Sequence, residues 1–173
     1  MATPGGQQQF LEELARCRRL NLGTDVLIYH VDGNPQYSEF VKEVFRRAVE
    51  GSLQIIISAI AVVELLVGAF QEGDLRNTEE RLMDLCIRHP NVRTEDVSVP
   101  VVVLAASIRA QTGLLVPDSL IAATGAVTEC DAMVANDKDY RKLAGIQGKS
   151  LMARGDVFLT LPQILCLDEF VDS

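Results

Sequence analysis

Apolar and polar positions along the chain switch repeatedly between a helical and an extended period, and each switch marks an element. From Phe10 to Leu20 (FLEELARCRRL) the apolar residues recur at three and four, which predicts a helix. Leu20 to Leu22 then reads as a short strand. Gly23, Thr24 and Asp25 interrupt the apolar run, with Thr24 or Asp25 placed to cap the next helical turn. Asp32, Gly33, Asn34 and Pro35 form a turn cluster. Tyr37 to Glu50 predicts a helix with Phe40, Val41, Val44, Phe45 and Ala48 on one face, and Gly51 stops it.

Leu53 to Ile57 is a β-branched run of the kind buried on both faces. Ser58 is a good N-cap for a helix from Ala59 to Gln71, which is apolar almost all round and is expected inside the protein. A helix near Leu75 to Arg88, a strand at Val92 to Val97 and a helix from Val99 to Thr112 follow. Pro117 and Asp118 then open another helix, where a proline costs no hydrogen bond and the helix dipole favours a carboxylate. DAMVA, ending at Ala135, reads as a strand, NDKDY as its polar exit, and Gln163 to Leu167 as the last strand. Strands alternate with helices throughout, so an α/β fold with a mainly parallel sheet is expected.

At 173 residues the chain is expected to be one domain from residue 9 to 173, behind a flexible tail at 1 to 8. It carries a formal net charge of −8. An acidic chain cannot hold nucleic acid by bulk charge, although cations on a carboxylate cluster would invert the local field. Cys17, Cys86, Cys130 and Cys166 are scattered, and MATPGGQQQF lacks the basic and apolar regions of a secretory signal. Reduced, buried cysteines in a soluble cytoplasmic protein without a membrane span are expected. Arg16, Arg18 and Arg19 read as a solvated helix end in preference to an RNA contact.

The candidate chemistry lies in the acids. Glu64 is the only charge between Glu50 and Glu72. A lone buried carboxylate is costly unless it is paired, for instance with Arg109, or binds a cation. Asp118 opens a helix and Asp137 ends a strand, and sites in open α/β sheets gather at the carboxyl ends of strands. Asp139 reads as a surface or supporting residue. No histidine or cysteine joins this set, and oxygen-only ligands favour Mg²⁺ or Mn²⁺ over zinc. Phosphate-binding glycine loops and nucleophile elbows are absent from the sequence.

Together these segments resemble the PIN-domain family, in particular its VapC-like toxin ribonucleases. The resemblance rests on GTDVLIYHVDGNPQY, SAIAVVELL, VPDSLIAATGAV, ANDKDY and LPQILCLDEF, and covers the chain from about Leu20 onward. It implies a three-layer α/β/α sandwich and an acidic pocket for Mg²⁺ or Mn²⁺. It further implies endonucleolytic cleavage of RNA, homodimers, and inhibition by a VapB-like antitoxin. Glu64, Asp118 and Asp137 match the family's second, third and fourth acids. The first acid falls on Gly23, and Asp25 stands where the family usually has Asn. Ala135 replaces the usual Thr or Ser.

If Asp25 turns into the pocket, the metal and catalytic set is Asp25, Glu64, Asp118 and Asp137. If it only caps the helix, three acids remain. The corresponding functions are a metal-dependent endoribonuclease and a degenerate module that binds RNA or a protein without efficient catalysis. A small-molecule phosphatase is the third class, disfavoured because Gly23-Thr24-Asp25 lacks the first Asp of a D-x-D loop.

Overall fold

A computed structural model describes residues 4–85, 89–155 and 157–171. Helix α1 (Pro4–Ala15) precedes β1 (Arg19–Leu22), α2 (Thr24–Asp32) and α3 (Ser38–Val49). Next come β2 (Gln54–Ser58), α4 (Ala59–Glu72), α5 (Leu75–Met83) and β3 (Val92–Glu95). The chain continues through α6 (Val99–Thr112), α7 (Val116–Val127) and β4 (Ala132–Ala135) into a 3₁₀ segment at Lys138–Gly145. A ribbon of β5 (Leu151–Arg154) and β6 (Val157–Leu159), then β7 (Gln163–Cys166) and α8 (Asp168–Val171), complete it.

Five strands form one sheet in the order β3-β2-β1-β4-β7, and every neighbouring pair is parallel. Its three central strands are apolar because helices cover both faces: Ile55, Ile56, Ile57, Met133 and Val134 are fully buried. From β1 the chain builds outward to β2 and β3 on one side, then crosses back to β4 and β7 on the other. Right-handed crossovers therefore put α2 to α5 on one face and α6 and α7 on the opposite face. This is the expected α/β/α sandwich. The direction of winding reverses between β1 and β4, and parallel α/β sheets open a crevice at such a point beyond the strands' carboxyl ends.

Several expectations shift. Helix α1 begins at Pro4, within the stretch expected as tail, because Phe10 and Leu14 anchor it in the core. Phe10 packs edge-on against Phe40 of α3 and Phe170 of α8, at 5.0 and 5.3 Å between ring centres. Helix α4 is not enclosed: Ala61, Leu65 and Ala69 are buried, while Val63, Val67 and Phe70 form an exposed apolar stripe. Arg88, the expected end of the fifth helix, and Cys86 lie outside the described residues. Cys130 and Cys166 are buried free thiols, and Cys17 is half-buried. Arg16 pairs with Glu13, and Arg19 binds Gln54 and the Thr128 carbonyl at the amino-terminal edge of the sheet. Among the described residues no helix is long and apolar enough to cross a membrane.

Candidate metal centre

Each of the four acids is delivered by a different element. Gly23 continues β1, its N–H donating to the Val134 carbonyl at 2.9 Å, and then acts as the extended N-cap of α2. Neither Thr24 nor Asp25 caps that helix, because both already lie inside its first turn. Their side chains turn elsewhere. The Thr24 hydroxyl donates to Glu64 Oε2 at 2.5 Å. Asp25 accepts from the Val26 N–H at 2.9 Å through Oδ1 and from the Asn136 N–H through Oδ2. Asp25 is therefore tied to the end of β4, across the crevice.

Glu64 projects from α4, whose N-cap Ser58 accepts from the Ile60 N–H. Arg109 is not its partner: that guanidinium donates to the Leu114 carbonyl at 2.7 Å, just beyond the end of α6. Asp118 lies in the first turn of α7, as Pro117 predicts. Asp137 caps the 3₁₀ segment, accepting from the Asp139 N–H at 2.8 Å. Asp139 itself forms a surface pair with Lys142.

Tyr140 adjoins this group. It is buried, and its hydroxyl donates to Asp118 Oδ1 at 3.4 Å. Burial, followed by the charges of Asp118, Asp25, Glu64 and Asp137, holds its ionisation well above the ordinary phenol range. All four acids thus act on one hydroxyl. Burial pushes the Asp118 carboxyl up to about 6, with the charges of Glu64 and Asp137 adding to it and the Tyr140 hydroxyl opposing. Asp25 is also raised, mainly by burial, and the backbone N–H groups of Asn136, Val26 and Asp137 work against that rise.

Among the described residues, no Lys, Arg or His is ion-paired with Asp25, Glu64, Asp118 or Asp137. An all-oxygen set with no protein cation suits a hard divalent ion. The set is gathered but not closed: among the described residues, no three acid, His or Cys side chains stand close enough to hold an ion as they are.

Thr24, Asn136 and Tyr140 complete the site beyond the acids. Asn136 donates from its side-chain amide to the Tyr29 hydroxyl at 3.3 Å and accepts from the Asp168 N–H at 2.8 Å. Tyr29 stacks on Tyr37, which in turn donates to Asp168 at 2.6 Å. The sequence signal for Asn136 and Tyr140 was their place in ANDKDY. Nothing local marks Thr24 as the partner of a residue forty positions away.

No curated protein sequence matches the chain. Among solved structures, it is similar to DNA-bound VapBC from Salmonella typhimurium, with 16% identity, TM-score 0.57, and coverage of 87% of this chain and 98% of that one. VapBC2 from Rickettsia felis, bound to a promoter DNA fragment, matches at 21% identity and TM-score 0.56 over 72% of this chain and 92% of that one. FitAcB from Neisseria gonorrhoeae matches at 20% identity and TM-score 0.55, over 73% and 93%. These likenesses show a shared fold. A family model for the PIN domain matches residues 22–146, from the last residue of β1 to just past the 3₁₀ segment, and spans all four acids. The chain therefore belongs to the PIN domain family.

Proposed function

We propose that the chain is a divalent-metal-dependent endoribonuclease of the VapC toxin type. The observation that carries this reading is the convergence of Asp25, Glu64, Asp118 and Asp137 on Tyr140 with no neutralising cation among the described residues. These four carboxylates would hold Mg²⁺ or Mn²⁺. The bound ion would lower the pKa of water and neutralise charge on a phosphodiester oxygen. The protein's own residues orient the acids: Thr24 fixes Glu64, the Asn136 N–H fixes Asp25, and Tyr140 holds one oxygen of Asp118.

Partners follow from the same reading. The apolar stripe of Val63, Val67 and Phe70 lies on the helix that carries Glu64, so a VapB-like antitoxin that covers it would also reach the acids. A homodimer is part of this reading.

The open spacing of the acids favours a second reading, a non-catalytic module that binds RNA or a protein through the same crevice. Incubating the purified protein with single-stranded RNA and Mn²⁺ separates the two. Cleavage that requires the ion and disappears in Asp118→Asn supports the nuclease. Intact RNA under those conditions, with Mn²⁺ shown to be bound, supports the module.

A further inference from the structure

A cavity of about 160 Å³ adjoins the acids and shares Asp137 and Tyr140 with them. Its walls come from the end of β4, the 3₁₀ segment and the β7–α8 junction. Ala135 and Tyr140 are buried in its floor, Ile164 contributes an apolar wall, and Arg141 and Gln147 are exposed at its rim together with the carboxylates of Asp137 and Glu169. The cavity is thus apolar within and polar at the edge, as small-ligand sites are.

Its rim chemistry is specific. Lys142 is drawn to Asp139 at 3.0 Å, but Arg141, among the described residues, makes no ion pair. A free guanidinium beside an acidic site, in a chain of net charge −8, suits a phosphate, which it binds in bidentate fashion. Gln147 spends one amide hydrogen on the Pro162 carbonyl at 3.3 Å, leaving a donor and an acceptor for another planar edge.

We propose that this cavity receives the base of a nucleotide next to the scissile phosphate of single-stranded RNA, with Arg141 on an adjoining phosphate. The inference rests on the nuclease reading for its register along the strand, because Asp137 belongs to both sites. A cavity this small accepts one ring system and not a stacked pair, so the RNA must be unpaired at that nucleotide. Arg141 supplies affinity, and the apolar wall and Gln147 supply preference among bases.

The test measures binding of a short, mixed-sequence single-stranded RNA to full-length Asp118→Asn in Mg²⁺ by fluorescence anisotropy, alongside cleavage by chains that retain Asp118. Added Arg141→Ala should weaken binding roughly tenfold and reduce the slope of log affinity against log salt by about one. Ala144→Leu, an exposed rim position that fills the cavity from outside, should weaken binding without changing that slope. In the cleaving protein it should alter the distribution of cut sites. Equal binding by parent and both variants, or equal binding of duplex RNA, overturns the proposal. Wild-type cleavage with unaffected variants removes the cavity and keeps the nuclease. An inert wild type whose Asp118→Asn form still loses affinity with both Arg141→Ala and Ala144→Leu removes the nuclease and keeps the cavity.

Discussion

Oδ1 of Asp25 lies 2.6 Å from the point that a β-carbon on Gly23 would occupy. A side chain at residue 23 and the present Asp25 rotamer therefore exclude one another. The Ala135 methyl, 3.1 Å from the same point, closes the other side. Glycine at 23 is the condition for aspartate at 25 to turn back toward β4. The departures from the family pattern at Gly23 and Asp25 read as one exchange.

Gly23→Asp alone is accordingly expected to displace Asp25, to cost about 1–3 kcal/mol in stability, and to lower RNA cleavage by up to roughly a hundredfold. Gly23→Asp with Asp25→Asn removes one of the two competing charges and, where an amide nitrogen replaces Oδ2, the acceptor that holds residue 25 against the Asn136 N–H. The double variant should let residue 25 turn away and recover most of that activity. Urea unfolding and Mn²⁺-dependent cleavage of both variants check this. A single Gly23→Asp more active than wild type, at unchanged stability, would show that Asp25 does not stand in for the first acid.

Asp118 links the site to stability. Its folded carboxyl titrates near 6, against 3.8 for an unperturbed one, because burial and then Glu64 and Asp137 oppose its ionisation. A folded state that holds the proton more tightly is favoured at low pH, and this advantage is lost as pH rises through about 6. Asp118→Asn cannot ionise. In chelator at pH 7 it should melt roughly 2–4 °C above wild type, the side chain's partial exposure limiting the gain. In acid below the unfolded pKa the gain should vanish. Adding Mn²⁺ should raise the wild-type melting temperature more than the variant's. Melting scans at the two pH values decide it: a variant no more stable than wild type at pH 7 sinks the argument.

The elements legible in the sequence were those written in a single period. QIIIS, the amphipathic face of α3, and Pro117-Asp118 each carry their own signal, and all three formed as expected. The reach of α1 back to Pro4 was hidden because Phe10 and Leu14 are held by Phe40 and Phe170, distant in sequence. Complete burial of α4 was the wrong inference from its composition: its apolar stripe at Val63, Val67 and Phe70 faces outward. That Asp118 opens a helix and Asp137 follows a strand was readable, and the orientation of Asp25 was not. That orientation depends on the Asn136 N–H, which is brought near only by the pairing of β1 with β4.

A second close approach should be just as intolerant. Asn21, fully buried in β1, donates to the Ile121 carbonyl of α7 at 2.9 Å. A β-carbon on Gly125 would lie 2.8 Å from that amide nitrogen, so glycine lets α7 rest on the strand. Gly125→Ala should destabilise the protein by about 1–3 kcal/mol. Because the clash is with one side chain, the cost should couple with Asn21→Ala in a double-mutant cycle. Additive effects in urea unfolding would place the strain elsewhere.

Tyr140→Phe offers the most selective probe of the centre. The ring fills the core beneath the acids, and phenylalanine retains it, so stability should change by no more than about 1 kcal/mol. What disappears is the hydroxyl on Asp118 Oδ1, which opposes the upward pull of burial and of the neighbouring carboxylates. Without it the Asp118 carboxyl should rise further. The acid limb of the pH profile of cleavage should then move to higher pH, and Mn²⁺ should bind more weakly at pH 6 than at pH 8 by a wider margin than in wild type. A purely structural role would lower the melting temperature and leave the profile in place. Superimposable profiles from the two proteins, with equal Mn²⁺ affinity at both pH values, would leave Tyr140 as packing and remove it from the centre.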